Sequence, residues 1–175
     1  MDTKHSTSLF LNDSTFSDFD EGNTYIDYEN RLYAQDILRR VYYFVAQALL
    51  EQNQNTESSK VLNKCIDIFP NEIVPYKQYA FAIGKLFYRA GNPEKGKEIC
   101  LISIKNLKEE LEWITSFDPP NPIISVQKAN RIKNMYAQML QQYKTLELNG
   151  SKALVEEYLK IEKSFSTWKT NNWPY

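Results

Sequence analysis

Two stretches of this chain carry the same pattern 38 residues apart, and this echo constrains the fold more than any other feature. The first runs Tyr42, Val45, Ala46, Leu49, then Ser58, Leu62, Cys65, and closes on Pro70. The second runs Ala80, Ile83, Gly84, Phe87, Gly91, then Gly96, Cys100, Ser103. Apolar residues spaced three and four apart describe one face of a helix. Small residues fall at the same two offsets, Ala46 with Ser58 and Gly84 with Gly96, where two paired helices must approach closely. A large apolar residue follows three positions after the first of each pair. The unit that repeats is therefore a helical hairpin.

Small and large apolar positions in this order are the grammar of a tetratricopeptide-type repeat, whose usual period is about 34 residues. The expected fold is all-α, with tetratricopeptide-like hairpins, about six helices in three pairs, and an extended N-terminal arm. Asp27 offers a carboxylate cap to a first helix that runs to about Gln52. After the turn Gln52–Asn55, Thr56 caps a second helix that Pro70 ends. Pro75 lies early in the third helix, which Gly91 finishes with a left-handed residue. Asn92-Pro93 opens its partner, continuing to Ser116. The run Asp118-Pro119-Pro120-Asn121-Pro122 breaks the chain. A diverged third hairpin follows, Val126 to Leu148 and Ser151 to Trp168, about the turn Asn149-Gly150. The hairpins thus span about 27–69, 73–116 and 126–168 of one helical-repeat domain, 27–175, behind an acidic arm, 1–26. The aromatic tail Trp168, Trp173, Pro174, Tyr175 either folds back on the last hairpin or marks an interface.

Charge is unevenly placed. Residues 1–30 hold seven acids against Lys4, a net −6, while the other 145 residues carry +5, for −1 overall. This balance argues against a nucleic-acid partner, which calls for a basic stripe and a high pI. Two readings of the arm stay open: it lies against the mildly basic helical body, or it is a detachable tail for a basic partner. Leu9, Phe10, Leu11, Phe16 and Phe19 make it too aromatic for simple disorder, so its aromatics are expected to dock on the helices. Residues 1–20 lack a signal peptide's basic start and apolar run. No stretch reaches the roughly 20 apolar residues of a membrane span. Cys65 and Cys100 are expected as small buried thiols, with a disulfide left open. With one histidine, His5, no metal-ligand cluster forms, and neither metal nor cofactor is expected.

Stacked helical hairpins curve so that their first helices line a concave face. That face is expected to present Arg40, Tyr43, Gln47 and Leu50, then Gln78, Phe81, Lys85, Tyr88 and Arg89. Tyr and Arg are the side chains that dominate protein recognition. For Tyr43 and Phe81 the alternative is packing against neighbouring hairpins or the arm. Acidic pairs are present at Glu109, Glu110 and Glu112 beside Trp113, and at Glu156-Glu157 beside Tyr158. Adjacent positions on a helix point about 100° apart, so they do not face one another as acid and base across a cleft. The run Gly91-Asn92-Pro93-Glu94-Lys95-Gly96 lacks the preceding strand and Gly-Lys-Ser/Thr ending of a phosphate cradle. Nucleophile-elbow and zinc-helix motifs are absent. No catalytic residue is assigned.

Longer strings carry a more specific likeness. They are Thr24-Tyr25-Ile26-Asp27-Tyr28-Glu29-Asn30-Arg31, Ala48-Leu49-Leu50-Glu51, Val61-Leu62-Asn63-Lys64-Cys65, Val74-Pro75-Tyr76, Phe87-Tyr88-Arg89-Ala90-Gly91, Glu109-Glu110-Leu111-Glu112-Trp113 and Ser116-Phe117-Asp118-Pro119. Together these resemble the C-terminal soluble region of a bacterial family of multi-spanning membrane proteins. That family carries a domain of unknown function related to protein O-mannosyltransferases. The resemblance implies an upstream membrane portion that would hold any glycosyltransferase chemistry, and a periplasmic setting for this region. The expected function is a non-catalytic module for protein or peptide interaction or structural support, with a membrane-embedded portion of the same protein as a further partner. Two alternatives stay open: an accessory domain completing a glycan or acceptor-peptide site, and a stand-alone cytoplasmic scaffold.

Overall fold

A computed structural model describes residues 3–12, 37–117, 126–146 and 151–172. Among these residues there are seven helices and no strand: α1 (Thr3–Leu11), α2 (Arg39–Glu51), α3 (Asn55–Ile68), α4 (Gln78–Arg89), α5 (Pro93–Thr115), α6 (Val126–Leu146) and α7 (Ser151–Asn172). The chain divides into two compact units, Met1–Ser103 and Ile104–Tyr175, with the division inside α5. Sequence alone suggested a single helical domain from residue 27.

In the first unit α2 pairs with α3, and α4 packs against both. The apolar stripe Tyr42, Val45, Ala46 and Leu49 is buried against Val61, Leu62, Cys65 and Ile68 of α3 and Ala80, Ile83 and Phe87 of α4. Each large side chain removed from water here contributes roughly 1.5–3 kcal/mol. The two small-residue pairs mark close approaches within the hairpins. Ser58 Oγ donates to the Ala46 carbonyl at 3.0 Å. In the next hairpin a Cβ added to Gly96 would stand 2.5 Å from the Gly84 carbonyl oxygen, so only glycine fits.

The helix ends follow the same interval. After α2, the Asn53 and Gln54 amides donate back to the Leu50 and Leu49 carbonyls at 3.1 and 2.9 Å. After α4, the Gly91 and Asn92 amides donate to Tyr88 and Phe87 at 3.2 and 2.9 Å, every residue lying 38 further on. This pair of bonds is the Schellman closure, which needs a left-handed residue at its centre. Asn53, at φ 59°, and Gly91, at φ 91°, supply it. Asn tolerates this conformation better than most side chains, and glycine adopts it freely.

Several local expectations change. Thr3–Leu11 is helical where an extended arm was expected. This helix packs on α2 and α3, and the Phe10 ring lies 4.8 Å from Tyr42. Its docking through an aromatic is as expected; the rest of the arm and the Asp27 cap lie outside the described residues, as does the turn Asn149-Gly150. Thr56 falls inside α3, which opens at Asn55 without a side-chain cap. Pro75 lies before α4, which starts only at Gln78, because the Val74 and Pro75 carbonyls are engaged by an arginine.

The second unit contains the C-terminal part of α5 with α6 and α7. Leu107, Leu111 and Ile114, then Ile132, Tyr136, Met139 and Tyr143, then Ile161, Phe165 and Trp168 are buried. Trp168 Nε1 donates to the Phe117 carbonyl at 3.0 Å, tying the end of α7 to the residues after α5.

Candidate interaction face

The buried arginine is Arg39, at the start of α2 and only 1% exposed. Its guanidinium donates to three main-chain carbonyls, Phe69 at 2.5 Å, Val74 at 2.6 Å and Pro75 at 3.1 Å. Its Cζ lies 4.7 Å from the centre of the Tyr76 ring. Burial pulls Arg39 down to about 10, and the same burial pushes the neighbouring Cys65 thiol and Tyr76 phenol up to about 12. The planar fork matches several acceptors at once, which an ammonium cannot do in the same way. The consequence is positional. The segment leaving α3 is pinned to the first turn of α2, so α4 begins at the same end as α2 and lies beside it.

The face formed by α2 and α4 contains the residues expected from sequence, in unequal roles. Arg40 is exposed, with its Cζ 5.5 Å from the centre of the Phe44 ring. Tyr43 is half-buried and meets Phe44 edge-on at 5.3 Å. Gln47 donates to Glu51 at 3.0 Å along α2. Gln78 and Arg89 are exposed. Lys85 is half-buried, and its charge favours the Cys100 thiolate, although burial dominates and pushes that thiol up to about 12. Tyr88 is half-buried, and its ring would touch a Cβ at Gly96, so it covers the tight crossing of α4 and α5. Two residues do not belong to an open face. Phe81 is 2% exposed and Leu50 is also buried, so both serve packing, the alternative reading for Phe81.

Two exposed apolar side chains escaped the sequence reading. Ile37 is 44% exposed and Phe44 is 43% exposed. Arg40 stands between them at spacings of three and four, with Ile37 just before α2 and Phe44 on it. Phe44 falls one position outside the offsets of the repeat pattern, so the pattern gave it no role. Arg39 did carry a signal, since it precedes Tyr42, Ala46 and Leu49 at steps of three, four and three. An arginine on the apolar stripe of a helix marks a buried guanidinium.

The second unit offers two other features. An open groove of about 270 Å³ is lined by Ala137, Leu140, Gln141, Lys144, Val155, Tyr158 and Leu159. A polar seam joins Lys108 of α5 to Glu157 of α7, with Glu112 at 3.9 Å, and Lys133 to Glu162 at 3.6 Å. The Glu157 hydrogen bond chiefly raises Lys108 above the ordinary lysine value. Tyr158 donates to Glu162 at 3.0 Å. Glu157 is thus an ion-pair partner of Lys108, which Glu112 also approaches. Cys65 and Cys100 are free and buried. Among the described residues no three His, Cys, Asp or Glu converge as metal ligands, and no helix is long and apolar enough to cross a membrane.

Comparison with protein-family models, with curated proteins and with solved structures finds no match.

Proposed function

We propose that this chain is a non-catalytic helical-repeat module of tetratricopeptide type that captures a protein or peptide along α2 and α4. The recurrence of the helix-closing hydrogen bonds and of the close-contact positions after 38 residues supports the repeat reading. The observation that carries the binding role is the α2–α4 arrangement. Both helices start at one end, held there by Arg39, and leave Ile37, Arg40, Tyr43, Phe44, Gln78 and Arg89 at least partly accessible on adjacent elements. Aromatic and arginine side chains anchor partners because they bury large area at modest entropic cost. The sequence resemblance alone supports the wider setting, a periplasmic appendage of a multi-spanning membrane protein.

Peptide-display selection on the full chain tests this reading. Selected peptides should lose affinity when Arg40→Ala is combined with Phe44→Ala, while circular dichroism stays unchanged because both side chains are exposed. Peptides indifferent to that pair and sensitive to Leu159→Ala would move the site to the α6–α7 groove and sink the proposal.

A further inference from the structure

We infer that the α2–α4 face selects acidic peptides, an inference that rests on reading that face as the docking surface. Among the described residues of the first unit, charge is unevenly placed. Glu57, Asp67, Glu72, Glu94 and Glu98 all lie on α3, on the segment after it, or on α5. Helix α4 holds no acid, and the one carboxylate of α2, Glu51, accepts from Gln47. The bases Arg40 and Arg89 are exposed, and neither has a carboxylate partner among the described residues.

The geometry sets a length. Arg40 stands at the shared starting end of α2 and α4, and Arg89 stands at the far end of α4. Twelve helical residues separate those ends by about 18 Å at 1.5 Å each. That is the reach of roughly five residues of extended peptide. A fitting ligand therefore carries carboxylates near both ends of such a stretch, with an apolar side chain between them to meet Phe44 and Tyr43. Arginine is suited to this task because its fork binds a carboxylate with two parallel bonds. Exposed charges also steer encounter, so binding should weaken as salt shortens the range of the field.

The test uses the full-length chain and two short fluorescein-labelled peptides, one Glu-rich with a central Phe, the other with every Glu replaced by Gln. Fluorescence anisotropy should show the Glu peptide binding more tightly, with affinity falling as salt rises to about 0.5 M. Arg40→Gln and Arg89→Gln should each weaken it roughly two- to fivefold, the range expected of an exposed ion pair. Equal, salt-insensitive binding of both peptides would overturn the acidic preference and leave the docking face standing. Binding of neither would overturn both. If only a variant with Asp18, Asp20, Glu21, Asp27 and Glu29 neutralised binds the Glu peptide, the chain's own acidic stretch is the occupant and the claim of a separate partner fails.

Discussion

Replacing Arg39 with methionine examines the part of the structure on which the placement of α4 depends. The guanidinium makes three hydrogen bonds to main-chain carbonyls at 2.5, 2.6 and 3.1 Å. Bonds from a charged donor are worth about 1.5–3 kcal/mol each, so together they contribute roughly 5–9 kcal/mol. Against this stands the cost of burying the cation. Its fall from 12.5 to about 10 corresponds to about 3 kcal/mol. Methionine removes both effects and keeps most of the apolar volume, so Arg39→Met should cost about 2–6 kcal/mol. Urea unfolding followed by circular dichroism measures the loss. Hydrogen exchange should place the weakened protection at the start of α2 and in residues 69–77. Arg39→Lys should not rescue the loss, because the three carbonyls are reached from two separate guanidinium nitrogens and a compact ammonium offers only one. Buried charged groups can sometimes be replaced by apolar ones with a gain in stability. A change below about 1 kcal/mol, or a gain, would therefore refute the clamp.

Gly96→Ala should destabilise the fold by about 1–3 kcal/mol or more, since its Cβ would press the Gly84 carbonyl, and thermal unfolding reads the effect. The two buried thiols make a pH prediction. Their folded values near 12 exceed the ordinary 9.0, so their contribution is full below pH 9 and is lost as pH rises toward 12. Tyr76 joins above 10 in the same direction and Arg39 opposes, so the clean window lies between pH 9 and 10. There unfolding free energy should fall by up to about 1.4 kcal/mol per pH unit for each thiol, and the slope should vanish in a Cys65→Ala, Cys100→Ala variant. Tyr136 is 0% exposed, and its hydroxyl has no hydrogen-bond partner among the described residues, so Tyr136→Phe should gain about 1 kcal/mol in urea unfolding. A loss would reveal a buried partner for that oxygen.

The elements most legible in the sequence are those fixed by local spacing. Tyr42, Ala46 and Leu49 name a buried stripe at once, and Ser58 and Gly96 name the tight crossings, because steric demand at those points leaves few residue choices. Gly91 announced its left-handed turn; Asn53, in the same geometry, did not stand out. The start of α4 was misplaced since Pro75 fits a helix N-terminus well by itself. Only the distant Arg39 guanidinium, taking the Val74 and Pro75 carbonyls, explains why the helix waits until Gln78. The candidate face was legible in outline through Arg40, Tyr43 and Arg89. Phe81 keeps two readings in the sequence because whether a large aromatic on the rim of a stripe turns inward depends on the neighbouring hairpin; in the structure it is buried. The same dependence left Phe44 unnoticed.

A titration of the isotopically labelled full-length chain with the Glu-rich peptide, followed by amide NMR, locates the docking surface. Shifts should concentrate on α2 and α4, at Arg40, Tyr43, Phe44, Gln47, Gln78 and Arg89. Shifts confined to the α6–α7 groove around Leu140, Val155 and Leu159 would contradict docking along α2 and α4.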